Sequence, residues 1–356
     1  MNSIDLDFSN EPIERAKTIP SHWYTSPEFY QNEIKKIFNS NWVFATHKNQ
    51  LEQTSEIRVK VGTEPIIIIL NENQEIKAFY DVCKHRGGPL CIRIGTKSVL
   101  QCQYHGWTYT SDGHLRGVPE FDRVELFDKK DFGLTANETF EFMGLIFVNL
   151  NSVDSGNNIQ AIKSEVIADI SPIDFSTYQF HKRISYPINC NWKIYIDNYL
   201  EGYHIPHVHP ELNKLLDYRT YKTRTSKWHS LQYSQLKAED SFYGKPDDMA
   251  FYYFIFPNCM LNILPGRLQT NFVEPIDAEH CIVHFDYYYD KSVYDTERIQ
   301  QDIDYSEFVQ REDEDICQQV QVRLHSSSYS QGRFSVKCEQ GVYHFQQLLK
   351  KMINER

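Results

Sequence analysis

The chain has 356 residues, of which 41% are hydrophobic and 24% are charged, and its formal net charge is −11. This length predicts two domains with sizeable cores, and the composition is that of a folded protein and not of a disordered one. The acidic charge argues against nucleic acid as a partner, because binding to phosphates needs a basic surface.

The longest apolar run, over residues 66–70, has the length of a buried strand and is far too short to span a membrane. Asp5 and Asp7 lie where a secretory signal would carry basic and apolar residues. We therefore expect a cytoplasmic protein with no membrane partner. The eight cysteines are too few in a chain of this length to form a disulfide scaffold.

The first predicted element is a helix over residues 28–40, where apolar residues recur at helical spacing. We assign residues 1–42 to a helical segment that packs on the C-terminal domain. From residue 43 to residue 150 the pattern changes to short strands, separated by turns such as Asn71-Glu72-Asn73 and Ser111-Asp112-Gly113. Residues 43–150 are therefore expected to form a small all-β domain.

Two short motifs lie within this all-β region. They are Cys83-Lys84-His85 and Cys102-Gln103-Tyr104-His105, and sixteen residues separate them. Their side chains suit a [2Fe–2S] cluster in which two thiolates hold one iron and two imidazoles hold the other, an arrangement that raises the reduction potential. Structural zinc, which also binds two Cys and two His, is the alternative. The alternating order of Cys and His favours the cluster.

A stretch rich in Asn and Ser over residues 149–158 predicts a linker, and residues 158–356 are assigned to a second domain. The predicted helices of this domain cover residues 191–204, 295–324 and 341–353. Between the first and the second of them, five segments have the pattern of strands, at residues 230–236, 251–256, 259–264, 268–274 and 281–289. We expect an α+β fold in which helices grip an antiparallel sheet.

The predicted helix over residues 191–204 carries the second informative motif. Asp197, Glu201 and His204 fall at i, i+4 and i+7, which places all three on one face of a helix. Pro206 and Pro210 are expected to end the helix, so that the chain curls back and brings His209 beside His204. Two imidazoles would then meet on one metal ion, although a histidine pair near a helix end is more often structural.

A carboxylate would complete the group of two histidines and one carboxylate that leaves coordination positions of iron open. The helix over residues 295–324 supplies Asp313, which interrupts an apolar stripe where an unpaired carboxylate is costly to bury. Asp315 belongs to the solvated side of this helix, and Glu312 is intermediate. The alternative role for Asp313 is a buried salt bridge with an arginine. The apolar members of the stripe are Val309, Ile316 and Val320.

Together the two motifs resemble those of the Rieske non-haem iron oxygenases, specifically the catalytic (alpha) subunit, over nearly the whole chain. The cysteine–histidine pairs match the cluster motif of that family, and Asp-x3-Glu-x2-His-x4-His matches its iron motif. The resemblance implies an all-β Rieske domain joined to a helix-grip catalytic domain. It also implies that Cys83, His85, Cys102 and His105 hold the [2Fe–2S] cluster, and that His204, His209 and Asp313 hold a mononuclear Fe(II).

Glu201 corresponds to the acidic residue that, in this family, joins an iron ligand of one protomer to a cluster histidine of the next, which implies a homotrimer. Asp197 is expected to contact and support the iron ligands without itself binding the iron. Most ring-hydroxylating members have aspartate at the bridging position. Glutamate at position 201 therefore resembles the branch that oxidises quaternary ammonium compounds such as choline, glycine betaine and carnitine.

The sequence thus predicts a terminal oxygenase component that uses O2 and external electrons to hydroxylate or N-demethylate a quaternary ammonium or N-methylated small molecule. The alternatives are the alpha subunit of an aromatic ring-hydroxylating dioxygenase and a Rieske electron carrier without a catalytic iron. No dinucleotide-binding fingerprint occurs in the chain. We therefore expect electrons from NAD(P)H to arrive through a separate flavin or iron–sulfur reductase.

Aromatic residues are dense at residues 251–254 and 287–289. Ring faces attract cations, so a quaternary ammonium substrate would favour an aromatic cage. Aromatic residues in strands, however, usually belong to the core or to cross-strand pairs. These two segments are therefore expected to contribute mainly to packing.

Overall fold

The computed structural model describes residues 11–93, 99–151, 158–215, 222–236 and 248–354. The described chain divides into two units. One consists of residues 38–159, and the other consists of residues 11–37 together with residues 160–354. Most of the predicted linker at residues 149–158 lies outside the described residues.

Helices and strands are numbered here in chain order. The described helices are α1 (His22–Thr25), α2 (Pro27–Lys36), α3 (Lys48–Thr54), α4 (Ile159–Ile170), α5 (Trp192–Tyr199), α6 (Ile205–Val208), α7 (Leu212–Leu215), α8 (Thr296–Leu324) and α9 (Gln340–Asn354). The described strands are β1 (Val43–His47), β2 (Glu56–Val61), β3 (Glu64–Leu70), β4 (Ile76–Tyr80), β5 (Leu90–Arg93), β6 (Val99–Cys102), β7 (Thr108–Thr110), β8 (Leu115–Gly117), β9 (Ala136–Phe142), β10 (Leu145–Asn149), β11 (Gln179–Ile188), β12 (Lys222–Thr225), β13 (His229–Gln235), β14 (Met249–Ile255), β15 (Cys259–Leu264), β16 (Arg267–Pro275) and β17 (Cys281–Tyr289).

The smaller unit is built from two antiparallel sheets. Its six-stranded sheet has the order β1-β10-β9-β4-β3-β2, and its four-stranded sheet has the order β5-β6-β7-β8. The four consecutive isoleucines of β3 are at most 1% exposed, since β-branched side chains pack well on a sheet that is covered on both faces. Apart from the short helix α3, the prediction of an all-β domain is confirmed.

The larger unit is built around a seven-stranded antiparallel sheet of order β11-β17-β16-β15-β14-β13-β12. Helix α5 packs against β16 and α8, and helix α9 packs against β12 and β13. This arrangement confirms the predicted α+β fold with helices on an antiparallel sheet. None of the described helices has the length and hydrophobicity needed to cross a lipid bilayer.

The edge strand β11 and the helix α4 were not predicted from the sequence. Only the last residue of β11, Ile188, is buried, and the other nine side chains are partly or fully exposed. Ile184, Tyr186 and Ile188 do alternate with Ser185 and Pro187, but a proline within a run argues against a strand, because it has no N–H for the ladder. The aromatic runs at residues 251–254 and 287–289 lie in β14 and β17, and Tyr253, Phe254, Tyr287, Tyr288 and Tyr289 are at most 1% exposed.

A buried ion pair attaches the N-terminal helix α2 to α5. The Nζ of Lys193 lies 2.7 Å from a carboxylate oxygen of Glu33, and both side chains are 0% exposed. The indole Nε1–H of Trp192 donates to the second oxygen of Glu33 at 3.0 Å. Burial raises the pKa of Glu33 and lowers that of Lys193, and the attraction between the two opposes both shifts. The ion pair therefore joins the first turn of α5 to α2.

Candidate functional site

The cysteine–histidine motifs lie on two loops of the same shape, one between β4 and β5 and the other between β6 and β7. In each loop a glycine amide donates to the carbonyl of the motif cysteine, from Gly87 to Cys83 at 2.9 Å and from Gly106 to Cys102 at 3.1 Å. Both glycines have φ +73°, a conformation that residues with a side chain rarely adopt. Each loop therefore turns tightly around its cysteine.

The sulfur side of this site is closely packed and buried. Cys83 and Cys102 are each 2% exposed. A Cβ added to Gly88 would lie 2.8 Å from the Sγ of Cys102, so only glycine allows the backbone to approach this sulfur. The hydroxyl of Tyr109 lies 3.1 Å from the Sγ of Cys83. Close backbone and a hydroxyl group are the contacts that tune a thiolate-bound cluster.

The histidine side of this site contains an unusual buried nitrogen. The rings of His85 and His105 have centroids 4.7 Å apart, and His85 stacks on Trp107 at 4.8 Å. The Nδ1 of His85 is buried and has no hydrogen-bond partner among the described residues. A buried polar nitrogen without a partner is costly, and a metal bond removes that cost. These four side chains fit a [2Fe–2S] cluster.

The second motif differs from its predicted local structure. Helix α5 ends at Tyr199, so the prediction of one helix over residues 191–204 with Asp197, Glu201 and His204 on one face is wrong. The carboxylate of Glu201 accepts the backbone N–H groups of Tyr203 and His204, which stabilises a turn in place of helix.

The predicted role of Pro206 is also corrected. It lies in the first turn of α6, where its missing N–H costs nothing, and does not end a longer helix. The side chains of His204 and His209 are brought together because these residues flank the short helix α6.

Three side chains converge where α6 meets α8. The Nε2 atoms of His209 and His204 lie 3.0 Å and 3.8 Å from Oδ1 of Asp313. One candidate ligand atom from each of these three residues lies within 4.8 Å of those from the other two. Two imidazoles and one carboxylate at this spacing fit a metal ion that keeps open coordination positions. Among the described residues, no other group of three such side chains is arranged in this way.

Three further side chains hold this group in place. Glu201 lies 2.7 Å from Nδ1 of His204, and Glu312 lies 2.8 Å from Nδ1 of His209. The side-chain amide of Asn198 donates to Oδ1 of Asp313 at 2.6 Å. Sequence reasoning missed Asn198, and it left Glu312 undecided. The available signals were weak: Asn198 follows Asp197 in the motif, and Glu312 precedes the predicted ligand.

Asp197 lies apart from the histidines. Its carboxylate accepts from the hydroxyl of Tyr24 at 2.6 Å and from the amide of Gln346 at 3.2 Å. No hydrogen bond of the described residues joins it to His204 or His209. Burial raises its pKa to about 7, although the hydrogen bonds from Tyr24 and Gln346 and the charge of Lys193 act in the opposite direction. Asp197 therefore connects α1, α5 and α9.

We expect Asp197 to make the stability of the protein depend on pH. Its pKa is raised from 3.8 to about 7, so folding favours the protonated form. The protonated carboxyl of Asp197 therefore adds about 4 kcal/mol to the free energy of unfolding. This stabilisation is fully present below about pH 4 and is lost as the pH rises through about 7. Asp197→Asn, which stays neutral, should therefore reduce the fall in melting temperature between pH 5 and pH 8 in a calorimetric series.

The control for this series is Asp315→Asn, which neutralises an exposed carboxylate. It should leave the pH dependence of the melting temperature as it is in the unsubstituted protein. The same slope of melting temperature against pH in Asp197→Asn and in the unsubstituted protein would contradict the prediction.

Two features of the molecule define its class. One is the all-β domain with two Cys and two His on matching loops, and the other is the separate group of two histidines and one carboxylate. Together they are typical of the iron–sulfur-dependent non-haem iron oxygenases. Comparison with protein families agrees. Residues 41–128 match the Rieske [2Fe–2S] domain, and residues 175–355 match the ring hydroxylating alpha subunit (catalytic domain).

Individual relatives extend over nearly the full chain. The chloroplastic choline monooxygenase of Arabidopsis thaliana is 32% identical over 355 residues, which are 95% of this chain and 83% of the relative. The carnitine monooxygenase oxygenase subunit of Acinetobacter pittii is 31% identical over 362 residues, which cover 96% of each chain. The quaternary ammonium Rieske monooxygenase CntA in complex with L-carnitine has a TM-score of 0.83 at 27% identity, covering 95% of this chain and 96% of CntA.

The chain belongs to the Rieske non-haem iron oxygenases, as a homologue of the oxygenase subunits of choline and carnitine monooxygenases. It is an oxidoreductase that acts with O2, and the cofactors of its family are a Rieske [2Fe–2S] cluster and a mononuclear non-haem iron. Members of this family typically receive electrons from a reductase. The match to the Rieske [2Fe–2S] domain therefore favours the cluster over zinc at the cysteine–histidine motif.

Proposed function

We propose that this chain is the terminal oxygenase that hydroxylates or N-demethylates a quaternary ammonium or N-methylated small molecule. The observation that carries this proposal is the contact of Glu201 with His204, in which a carboxylate oxygen lies 2.7 Å from Nδ1 of the imidazole. The chain that contains this contact is related to choline and carnitine monooxygenases along almost all of its length. Attack on an N-methyl group would give a hemiaminal that releases formaldehyde. Attack on an N–CH2 group would give an aldehyde.

We assign the cofactor ligands by residue. In this proposal residues 43–150 form the Rieske domain and residues 158–356 form the catalytic domain. When bound, the two cofactors supply stored electrons and an iron with open positions for the reductive activation of O2. The cluster ligands are Cys83 and Cys102 on one iron with His85 and His105 on the other, and the ligands of the mononuclear iron are His204, His209 and Asp313.

The protein residues around the mononuclear site orient these ligands. Glu201 accepts the Nδ1–H of His204, which leaves the lone pair of Nε2 free for a metal ion shared with Asp313, whose Oδ1 lies 3.8 Å away. Asn198 donates to Oδ1 of Asp313 and restricts the rotation of that carboxylate. His209 is 1% exposed, so water cannot easily reach its ring and compete with it as a metal ligand. The three candidate metal-binding atoms thus lie within 4.8 Å of one another, where one ion could bind all three.

The proposed assembly is a homotrimer that receives electrons from NAD(P)H through a separate flavin or iron–sulfur reductase. In this assembly Glu201 would join His204 of one protomer to a cluster histidine of the next. A solved quaternary ammonium Rieske monooxygenase with 27% identity and a TM-score of 0.86 is described with inter-subunit electron transfer, which supports the arrangement.

A single-turnover assay tests the substrate class. The iron-loaded protein is chemically reduced and exposed to O2 with choline, glycine betaine, carnitine, stachydrine, simple arenes or aryl carboxylates. We expect formaldehyde or another aldehyde from one of the ammonium compounds, because the relatives oxidise choline and carnitine. A cis-diol from an arene, with no product from any ammonium compound, would contradict the proposal.

A further inference from the structure

The ring of His209 lies between two carboxylates of helix α8. Its Nδ1 lies 2.8 Å from Oε2 of Glu312, and its Nε2 lies 3.0 Å from Oδ1 of Asp313. Consecutive residues of a helix point about 100° apart around its axis, so two neighbours can reach both nitrogens only if the ring sits between their side chains. The ring is 1% exposed, and neither of its two nitrogens therefore depends on water for a partner.

We propose that Glu312 is the positioning residue of His209. Its carboxylate accepts the Nδ1–H, so that the lone pair of Nε2 would be free for the metal ion that His209 and Asp313 share, and increases the electron donation from that nitrogen. The inference rests on the proposed metal site of His204, His209 and Asp313, and it adds a residue that acts through one of these ligands.

His204 also has a glutamate carboxylate at its Nδ1, but that glutamate comes from a different part of the chain. Its Nδ1 lies 2.7 Å from Glu201, three residues earlier in the same loop. Glu312 instead comes from α8, 103 residues away from His209 in sequence. Each imidazole therefore has its own carboxylate, and the one on His209 also fixes α8 relative to the loop after α6.

The neighbouring acidic residues do not share this position. Asp315, three residues after Glu312 on the same helix, is exposed, and its carboxylate accepts from Gln319 on the next turn. The side chain of Glu312 is 24% exposed, and one of its oxygens is directed at a ring that is almost fully buried. A carboxylate that served only to keep the helix solvated would not be expected in this orientation.

The test is a titration of protein that carries its cluster but has lost the mononuclear ion to a chelator. Co(II) is added while the cluster is kept oxidised and therefore diamagnetic. Calorimetry gives the dissociation constant, and the electron paramagnetic resonance spectrum of bound Co(II) reports the ligand field. Loss of an outer partner of a metal-bound histidine typically weakens metal binding ten- to a hundredfold. We expect Co(II) to bind about tenfold more weakly to Glu312→Gln and about a hundredfold more weakly to Glu312→Leu.

The two substitutions differ for a physical reason. Glutamine keeps the shape of Glu312, but its amide offers both a donor and an acceptor and so no longer selects one tautomer of His209. Leucine removes the partner entirely. The spectrum of bound Co(II) should also change in both variants, because the orientation and donor strength of the His209 ring set the ligand field. A change in protein stability alone would leave that spectrum as in the wild type.

Controls separate this inference from the function on which it rests. Asp315→Asn should bind Co(II) as the wild type does, and His209→Ala should not bind it. If the wild type itself bound no Co(II), the metal-site proposal would fail. If Glu312→Leu lost its cooperative thermal unfolding transition and thus its fold, Glu312→Gln would decide. Wild-type affinity and spectrum in a folded Glu312 variant would overturn the inference.

Discussion

Asp313→Ala is expected to yield a protein that keeps its [2Fe–2S] cluster, loses the mononuclear iron and forms no measurable product. Removing this carboxylate leaves His209 and His204 without the oxygen that lies 3.0 Å and 3.8 Å from their Nε2 atoms. Loss of a mere outer contact typically costs ten- to a hundredfold, so loss of a ligand should lower turnover by more than about a hundredfold. Iron per chain, cluster absorption and single-turnover product are the measurements.

The matched control is Asp315→Ala, two residues further along α8, where the carboxylate is exposed. It should retain all of the iron and normal turnover. Turnover of Asp313→Ala within tenfold of the unsubstituted protein would remove Asp313 from the ligand set. The same experiment tests the electron-carrier alternative, because a protein without a catalytic iron would lose none on substitution of Asp313.

Lys193→Met should be among the most destabilising single substitutions in the chain. It leaves the fully buried carboxylate of Glu33 without the ammonium group that lies 2.7 Å away. Removing one partner of a buried ion pair typically costs about 3–5 kcal/mol, since the remaining charge is neither solvated nor paired. Because α5 carries Asn198 and leads into His204, retention of the mononuclear metal should decrease as well.

Urea unfolding of three variants, each compared with the unsubstituted protein, checks this expectation. Lys48→Met removes an exposed pair with Glu52 at 3.9 Å and should change the free energy of unfolding by less than about 1 kcal/mol. The double variant Glu33→Gln/Lys193→Met should recover much of the loss, because no charge then remains buried. Equal unfolding free energies for Lys193→Met and Lys48→Met would show that the buried pair is not important for stability.

The cluster site was the part of the molecule most open to prediction from sequence. Cys83 and His85 are two residues apart, Cys102 and His105 are three apart, and glycines that follow each pair permit the tight turns. Each half of the site is therefore formed by a single short loop. Local spacing is sufficient to predict it because few other chemical groups use these residue types in this order.

The structure brings His204, His209 and Asp313 together, as the sequence predicted, but the predicted local structure of the motif is wrong. The helical spacing of Asp197, Glu201 and His204 predicted a shared face, whereas α5 ends at Tyr199. Glu201 binds the backbone of the following turn and competes there with helix formation. A periodic pattern does not show which side chains will instead bind their own backbone.

From the sequence alone came the fold class, the two pairs of cluster residues, the two histidines of the second site and the choice of Asp313 over its acidic neighbours. The cluster residues and the histidines depend on local spacing, which short segments encode. Asp313 was chosen from an apolar stripe that is only partly buried in the structure, with Val320 38% exposed, so the cost of burying a charge does not by itself account for that choice. The tertiary structure alone decided that Glu312 and Asn198 hold His209 and Asp313, and that Asp197 joins Tyr24 and Gln346. These contacts bridge between 103 and 173 residues of chain. They arise because α8 and α9 pack beside α5 and α6, and the geometry of that packing is set by many apolar side chains together.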